Sequence, residues 1–271
     1  MNCDFHLHST VSDGQLTPSE VVERAVLRQL DAISLTDHDT VDGVGEATKR
    51  GSELGIKVLP GIEMSCFDVT EVHILIYNLD YLNPELHKRL EYVSELRRAR
   101  NYMIMDKLNN FGIKIDLDKI YLNANGKTVG RPDIADEMVK SGYSSSRLDA
   151  FEEYLGVDKK AYVPAKRLTP AEAITIAHEF GGKAVLAHPK NLKMAQHTLA
   201  DYLHSLVGYG IDGIEADYFS HTIYERQFYK SLADKYKLIV TGGSDFHDFS
   251  HGGEEFFTPN KLTRKILQLG E

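Results

Sequence analysis

Short strand-like segments alternate with amphipathic helical patterns over most of the sequence. That alternation commits the chain to a largely parallel sheet covered by helices. Cys3 to His8, Ala32 to Leu35, Lys57 to Glu63, Val72 to Tyr77, Lys183 to Ala187, Gly210 to Ala216 and Leu238 to Thr241 read as strands. Thr17, Pro18 and Glu20 form a capping-box start for a helix carrying Val21, Val22, Ala25 and Val26. A second helical pattern, about Val44 to Leu54, stops near Gly55. At 271 residues the chain has the length of one α/β barrel, about 250 residues.

One stretch breaks the alternation. After Asn83-Pro84 comes a long helical pattern carrying Leu86, Leu90, Val93, Leu96, Met103 and Leu108, which ends at Phe111-Gly112. The next fifty residues are polar, with a turn expected at Asn123 to Gly126 and helical stretches after Pro132 and around Leu148 to Leu155. The alternation resumes at Thr169-Pro170. Residues 81–162 therefore read as an inserted helical cap, and 1–80 with 163–271 as the barrel.

Composition narrows the function. A formal charge of −9 argues against broad binding to duplex DNA, which needs a basic face. No apolar run approaches the roughly 18 residues of a membrane span, so a cytoplasmic protein with no membrane partner is expected. Cys3 and Cys66 are too few for a disulfide framework and read as buried thiols.

The chemistry sits where strands end. Period-two alternation puts His6 and His8 on one face of the first strand, a spacing suited to one metal ion. Asp13 follows in the next loop, a catalytic position in barrels, where a turn residue before Gly14 is the alternative. His38 follows the second strand. Its neighbour Asp39 reads as a helix N-cap. Glu63 ends the third strand, and His73 lies within the fourth, where a satisfied buried histidine is the alternative. His188 follows the fifth, and Asp245 and His247 repeat the same-face spacing at the last. Together His6, His8, Asp13, His38, Glu63, His73, His188, Asp245 and His247 form a mixed imidazole and carboxylate set, which suits manganese, zinc or iron.

The motifs FHLHSTVSDG (Phe5 to Gly14), SLTDHDT (Ser34 to Thr40), GIEMS (Gly61 to Ser65), VHILIY (Val72 to Tyr77), LAHPK (Leu186 to Lys190) and GGSDFH (Gly242 to His247) resemble the polymerase and histidinol phosphatase (PHP) family of metal-dependent phosphoesterases. The likeness runs over nearly the whole chain. It implies an α/β fold, a distorted (β/α)7 barrel with an inserted helical cap, in which those nine residues hold up to three metals. It further implies a trinuclear enzyme that removes the 3'-phosphate from nucleoside 3',5'-bisphosphates, some relatives also trimming short RNA from the 5' end. Lys190 departs from the glycine that many relatives carry after the His-Pro pair, and is either a surface change or a phosphate contact.

Two or three divalent ions would stabilise phosphoryl charge and acidify a water, so no serine or cysteine nucleophile is required. Asp13, His38, Glu63 and Asp245 are the expected catalytic ligands. His221 is a candidate to protonate the leaving group or contact substrate, or is an ordinary residue at a helix start. Arg131, just before a predicted helix, could hold a second phosphate or be a surface arginine. Lys190, Glu215 and His221 are further candidate substrate contacts. His87, His178, His197, His204 and His251 show no strand-end placement and read as structural. The rival readings are a histidinol-phosphate phosphatase or other hydrolase of the same type, and a non-enzymatic module of the kind attached to polymerases.

Overall fold

Every residue of the first strand, β1 (Cys3–Leu7), is buried, although its side chains alternate between two faces. A strand buried on both sides needs an apolar outer cover and an enclosed interior, and a barrel supplies both. The computed structural model describes residues 2–124, 128–164 and 167–249. Seven strands follow in sequence order: β1, β2 (Ala32–Leu35), β3 (Lys57–Phe67), β4 (Glu71–Tyr77), β5 (Lys183–Leu186), β6 (Gly213–Tyr218) and β7 (Ile239–Gly243). The sheet nearly closes on itself. His8 N–H donates to Phe246 O at 3.0 Å and Asp245 N–H to His6 O at 2.9 Å, so the chain just beyond β7 lies along β1.

The pairing is parallel throughout except at β4, which runs antiparallel to both neighbours. Between Phe67 and Glu71 there is room only for a tight hairpin, and a parallel crossover needs a dozen residues or more. Glu63 therefore does not end its strand. β3 continues to Phe67, and its added length pairs Ser65 with His73. Directly opposed residues share a face, so His73 joins Glu63 inside the barrel.

Helices α1 (Pro18–Leu27) and α2 (Val44–Leu54) cover this first half. Thr17 caps α1 in a full capping box with Glu20. Val21, Val22 and Ala25 face inward against Leu7, Ile33 and Leu35. Burying a valine or leucine of this kind contributes about 1.5–3 kcal/mol. Gly55 ends α2 at φ 73°, a left-handed turn that favours glycine.

The same capping box, Thr169 with Glu172 and Thr222 with Glu225, starts α7 (Pro170–Glu179) and α9 (Ile223–Tyr236). Between them lies α8 (Gln196–Gly208).

Contacts divide the chain into two compact units, Met1–Lys88 with the chain from Leu168 onward, and Arg89–Arg167. The second unit holds most of α3 (Pro84–Asn109), then α4 (Leu117–Ala124), α5 (Arg131–Lys140) and α6 (Arg147–Ala150). Its own core includes Ile104, Leu108, Ile134, Met138 and Leu155. The expected turn at Asn123 to Gly126 differs in that Asn123 and Ala124 complete α4. The rest of that turn, like His251, lies outside the described residues. The single helix expected over Leu148 to Leu155 is instead α6 followed by a π-helical turn, Phe151–Leu155.

Candidate metal centre

β1 delivers His6 and His8 to the barrel interior with ring centroids 5.2 Å apart. His6 Nε2 lies 3.1 Å from Glu63 Oε2 and 3.2 Å from Asp245 Oδ1, and His8 Nε2 lies 3.1 Å from each of the same two oxygens. All four atoms are buried, yet none has a hydrogen-bond partner. Atoms this close that do not bond are aiming at a common point. Ligands held about 2.0–2.2 Å from one ion sit roughly 3 Å from each other, and the spacing here is of that kind. The donor set, two imidazoles and two carboxylates, fits a divalent cation.

Two further groups adjoin the first: His8, Asp13, His38 and His247, and His38, Glu63 and His73. His247 Nε2 is 3.3 Å from Asp13 Oδ1, and the His8 and His247 rings stack at 4.0 Å. Glu63 joins the groups through both oxygens. Oε2 faces His6, His8 and His38, while Oε1 lies 2.8 Å from His73 Nδ1 and 2.9 Å from His188 Nε2. The fold thus brings all nine sequence candidates together, eight of them in clusters suited to one or more divalent ions and His188 against Glu63.

Charge follows the same arrangement. Burial alone would lower His6, His8 and His73, but the facing carboxylates outweigh it. They raise His6 well above its ordinary value, His8 to about 10 and His73 to about 9. At His38 burial wins and pulls the ring down to about 4. Burial would raise Glu63 and Asp245, yet the imidazoles hold both well below the carboxylate range. Without metal, protons on the rings balance the acids, and cations entering the centre would displace them.

The backbone is shaped to suit. His188 at φ 23°, Asp39 at φ 56° and Asp245 at φ 53° are three non-glycine residues in a conformation most side chains avoid. Such outliers cluster at functional sites. A cleft of about 240 Å³ opens above Glu63, His73, His188 and Asp245, between the β3–β4 hairpin with Thr70 and Glu71 and the turn with Asn191.

Several expectations need correction. Asp39 is not an N-cap, because Gly43 precedes α2 and the Asp39 Oδ1 accepts the Ser65 N–H of the adjacent strand β3 at 2.7 Å. Glu215 is fully buried behind His6, with its oxygens 3.1 Å from His6 Nδ1 and 2.7 Å from His188 N, so it is not turned to substrate. Lys190 Nζ donates to the Ser220 carbonyl at 2.7 Å and lies 3.5 Å from Glu225, which ties it to the loop before α9. His221 donates from Nδ1 to the Ala216 carbonyl at 3.0 Å, and burial lowers its pKa. That leaves a lone pair rather than a proton on Nε2, which disfavours the leaving-group acid among the roles open to His221.

Sequence reasoning missed two supporting residues, Asp37 and Tyr218, and the supporting role of a third, Glu215. Asp37 accepts from Ser9 N, Ser9 Oγ and Ser12 Oγ, each at 2.7 Å, and so fixes the loop that carries Asp13. Tyr218 and Glu215, both on β6, brace Asp245 and His6.

A nearly closed barrel with histidines and carboxylates gathered at its strand ends defines a metal-dependent hydrolase. The PHP domain family matches residues 4–157. A 5'-3' exoribonuclease of Haemophilus influenzae is 35% identical over 245 residues, 90% of this chain and 89% of that protein. A 3',5'-nucleoside bisphosphate phosphatase of Chromobacterium violaceum is 32% identical over 256 residues, 94% of this chain and 90% of that one. The crystal structure of an amidohydrolase from Chromobacterium violaceum with bound sulfate superposes with a TM-score of 0.85 at 29% identity, covering 99% of this chain and 97% of that one. The chain belongs to the PHP-domain family of metal-dependent phosphoesterases, and it acts on phosphate esters. Among the described residues no helix is long and apolar enough to cross a membrane.

Proposed function

We propose that this chain removes the 3'-phosphate from nucleoside 3',5'-bisphosphates. The observation that carries the reading is a concentration of positive charge in a protein whose net charge is −9. Within the 89–167 unit, burial together with the guanidiniums of Arg131, Arg167 and Arg97 lowers Arg100 to about 10. A group of like charges of this kind attracts an anion. Arg131 opens α5, donates from Nη1 to the Leu155 carbonyl at 3.1 Å, and is our candidate for a substrate contact.

His6, His8, Glu63 and Asp245 would hold one ion, and Asp13, His38, His247, His73 and His188 would complete the set. Divalent ions bound there supply electrophilic stabilisation of phosphoryl charge and a source of nucleophilic water. The likeness to a 5'-3' exoribonuclease supports a second activity at the same centre, trimming of short RNA from the 5' end.

The test is a substrate panel for the metal-loaded protein: a nucleoside 3',5'-bisphosphate, the 3'-monophosphate, histidinol phosphate and a short 5'-phosphorylated RNA, with elemental analysis alongside. The bisphosphate should be preferred. Arg131→Ala should lower kcat/KM for it at least about tenfold more than for the 3'-monophosphate, the mark of lost remote binding. Equal losses, or no bisphosphate preference in the wild type, would refute the assignment.

A further inference from the structure

Six of the seven strands, or the loops just after them, contribute candidate metal ligands, and β6 contributes none. It carries instead a carboxylate sealed inside the barrel. Glu215 is 0% exposed, and each of its oxygens already has a partner.

We propose that Glu215 is a positioning residue of the metal centre, holding the His6 ring and the His188 backbone in the orientations that metal binding requires. The inference rests on the metal-centre reading above.

The chemistry of the contact decides what Glu215 does. A carboxylate only accepts hydrogen bonds, so at 3.1 Å its Oε1 puts the proton of His6 on Nδ1. In the neutral ring the lone pair is thereby left on Nε2, the atom that faces Glu63 Oε2 and Asp245 Oδ1. A carboxylate behind a ligating imidazole fixes both its tautomer and its rotation.

The second oxygen acts on a different strand. Oε2 accepts the His188 N–H at 2.7 Å, and His188 has φ 23° and ψ 62°, outside the regions where an L-residue is relaxed. A charge-assisted bond to that N–H holds the distorted peptide in place. The His6 and His188 rings lie 5.6 Å apart and nearly parallel, at 23°. One side chain therefore sets both members of a stacked pair drawn from β1 and from the loop after β5. Three residues along, the Tyr218 hydroxyl does a similar service for Asp245 at 2.9 Å. The strand without ligands is the one that orients them.

A merely structural carboxylate would influence stability and leave metal affinity alone, and that difference supplies the test. The full-length wild type, Glu215→Gln and Glu215→Asp would be stripped of metal, melted, and titrated with Zn²⁺ against a chromophoric chelator. Gln offers one acceptor where two are needed, and Asp keeps the charge but is one methylene too short to reach both partners. We expect metal-free melting temperatures close to wild type and Zn²⁺ affinity reduced about 10- to 100-fold in both variants. Wild-type affinity in either folded variant would overturn the proposal. So would melting temperatures that fall in both variants while affinity in the folded fraction holds. If the wild type itself took up no Zn²⁺, the metal-centre reading would fail and this inference with it, a result distinct from failure of Glu215 alone.

Discussion

The Tyr218 hydroxyl donates to Asp245 Oδ2 at 2.9 Å, which turns the other carboxylate oxygen towards His6 and His8. Tyr218→Phe deletes that bond while keeping the ring against His188 and His221. A hydrogen bond to a charged acceptor contributes about 1.5–3 kcal/mol. Steady-state kinetics should show kcat reduced about tenfold with KM little changed, because the orientation of a metal-centre carboxylate is disturbed rather than a substrate contact. Unaltered kcat would show that Asp245 keeps its orientation without the phenol.

Gly243 predicts a stability effect at the barrel seam. A Cβ there would sit 2.5 Å from His6 Cβ and 2.7 Å from His6 N, and the neighbouring backbone has no freedom to withdraw. Gly243→Ala should cost about 1–3 kcal/mol in urea unfolding and also lower turnover, since His6 must shift. Gly55→Ala is the contrast. Nothing lies within 4 Å of its Cβ, but φ is 73°, so it should cost about 1 kcal/mol and leave kinetics unchanged.

Asp212 predicts a pH effect. Burial would raise its pKa, but Lys183 Nζ at 2.8 Å, His178 Nε2 at 2.8 Å and the Ala184 N–H at 3.0 Å outweigh burial and hold it below the ordinary 3.8. A carboxylate depressed on folding adds stability that is present above the unfolded value and is lost as pH falls through the folded one. Wild type should therefore exceed Asp212→Asn in chemical denaturation by about 1 kcal/mol at pH 7, a figure kept small because both cations are partly exposed. The gap should close below pH 3.8. A gap that persisted at pH 2 would point to lost packing instead.

How much of this was legible in the sequence depends on the reach of each interaction. Period-two alternation alone forces His6 and His8 onto one face, and capping boxes at Thr17 and Thr169 mark helix starts from four adjacent residues. The reversal of β4 is also local, in the three residues between Phe67 and Glu71, but a third strand read as ending at Glu63 leaves a gap that hides the hairpin. The role of Glu215, read as a candidate substrate contact, was out of reach. An acid within an apolar strand reads the same whether it faces a pocket or the barrel wall, and its partner His6 is 209 residues away. Asp39 misled for a related reason: an aspartate before a helix suggests a cap, and only the left-handed backbone turns it to Ser65 instead.

The seam between β1 and the chain after β7 also sets a schedule. Asp4 Oδ1 accepts the Ser244 N–H across 240 residues, and the first ion-sized group cannot exist until Asp245 is beside His6. At about 5–20 residues per second, a growing chain carries its two leading histidines for tens of seconds before that partner is even synthesised. The two groups that need Asp245 or His247 therefore form only after β7 has been made, whereas His38, Glu63 and His73 are together much earlier. A complete set of ligands therefore depends on the seam, and the apolar layers must bring β7 to β1 before that set exists.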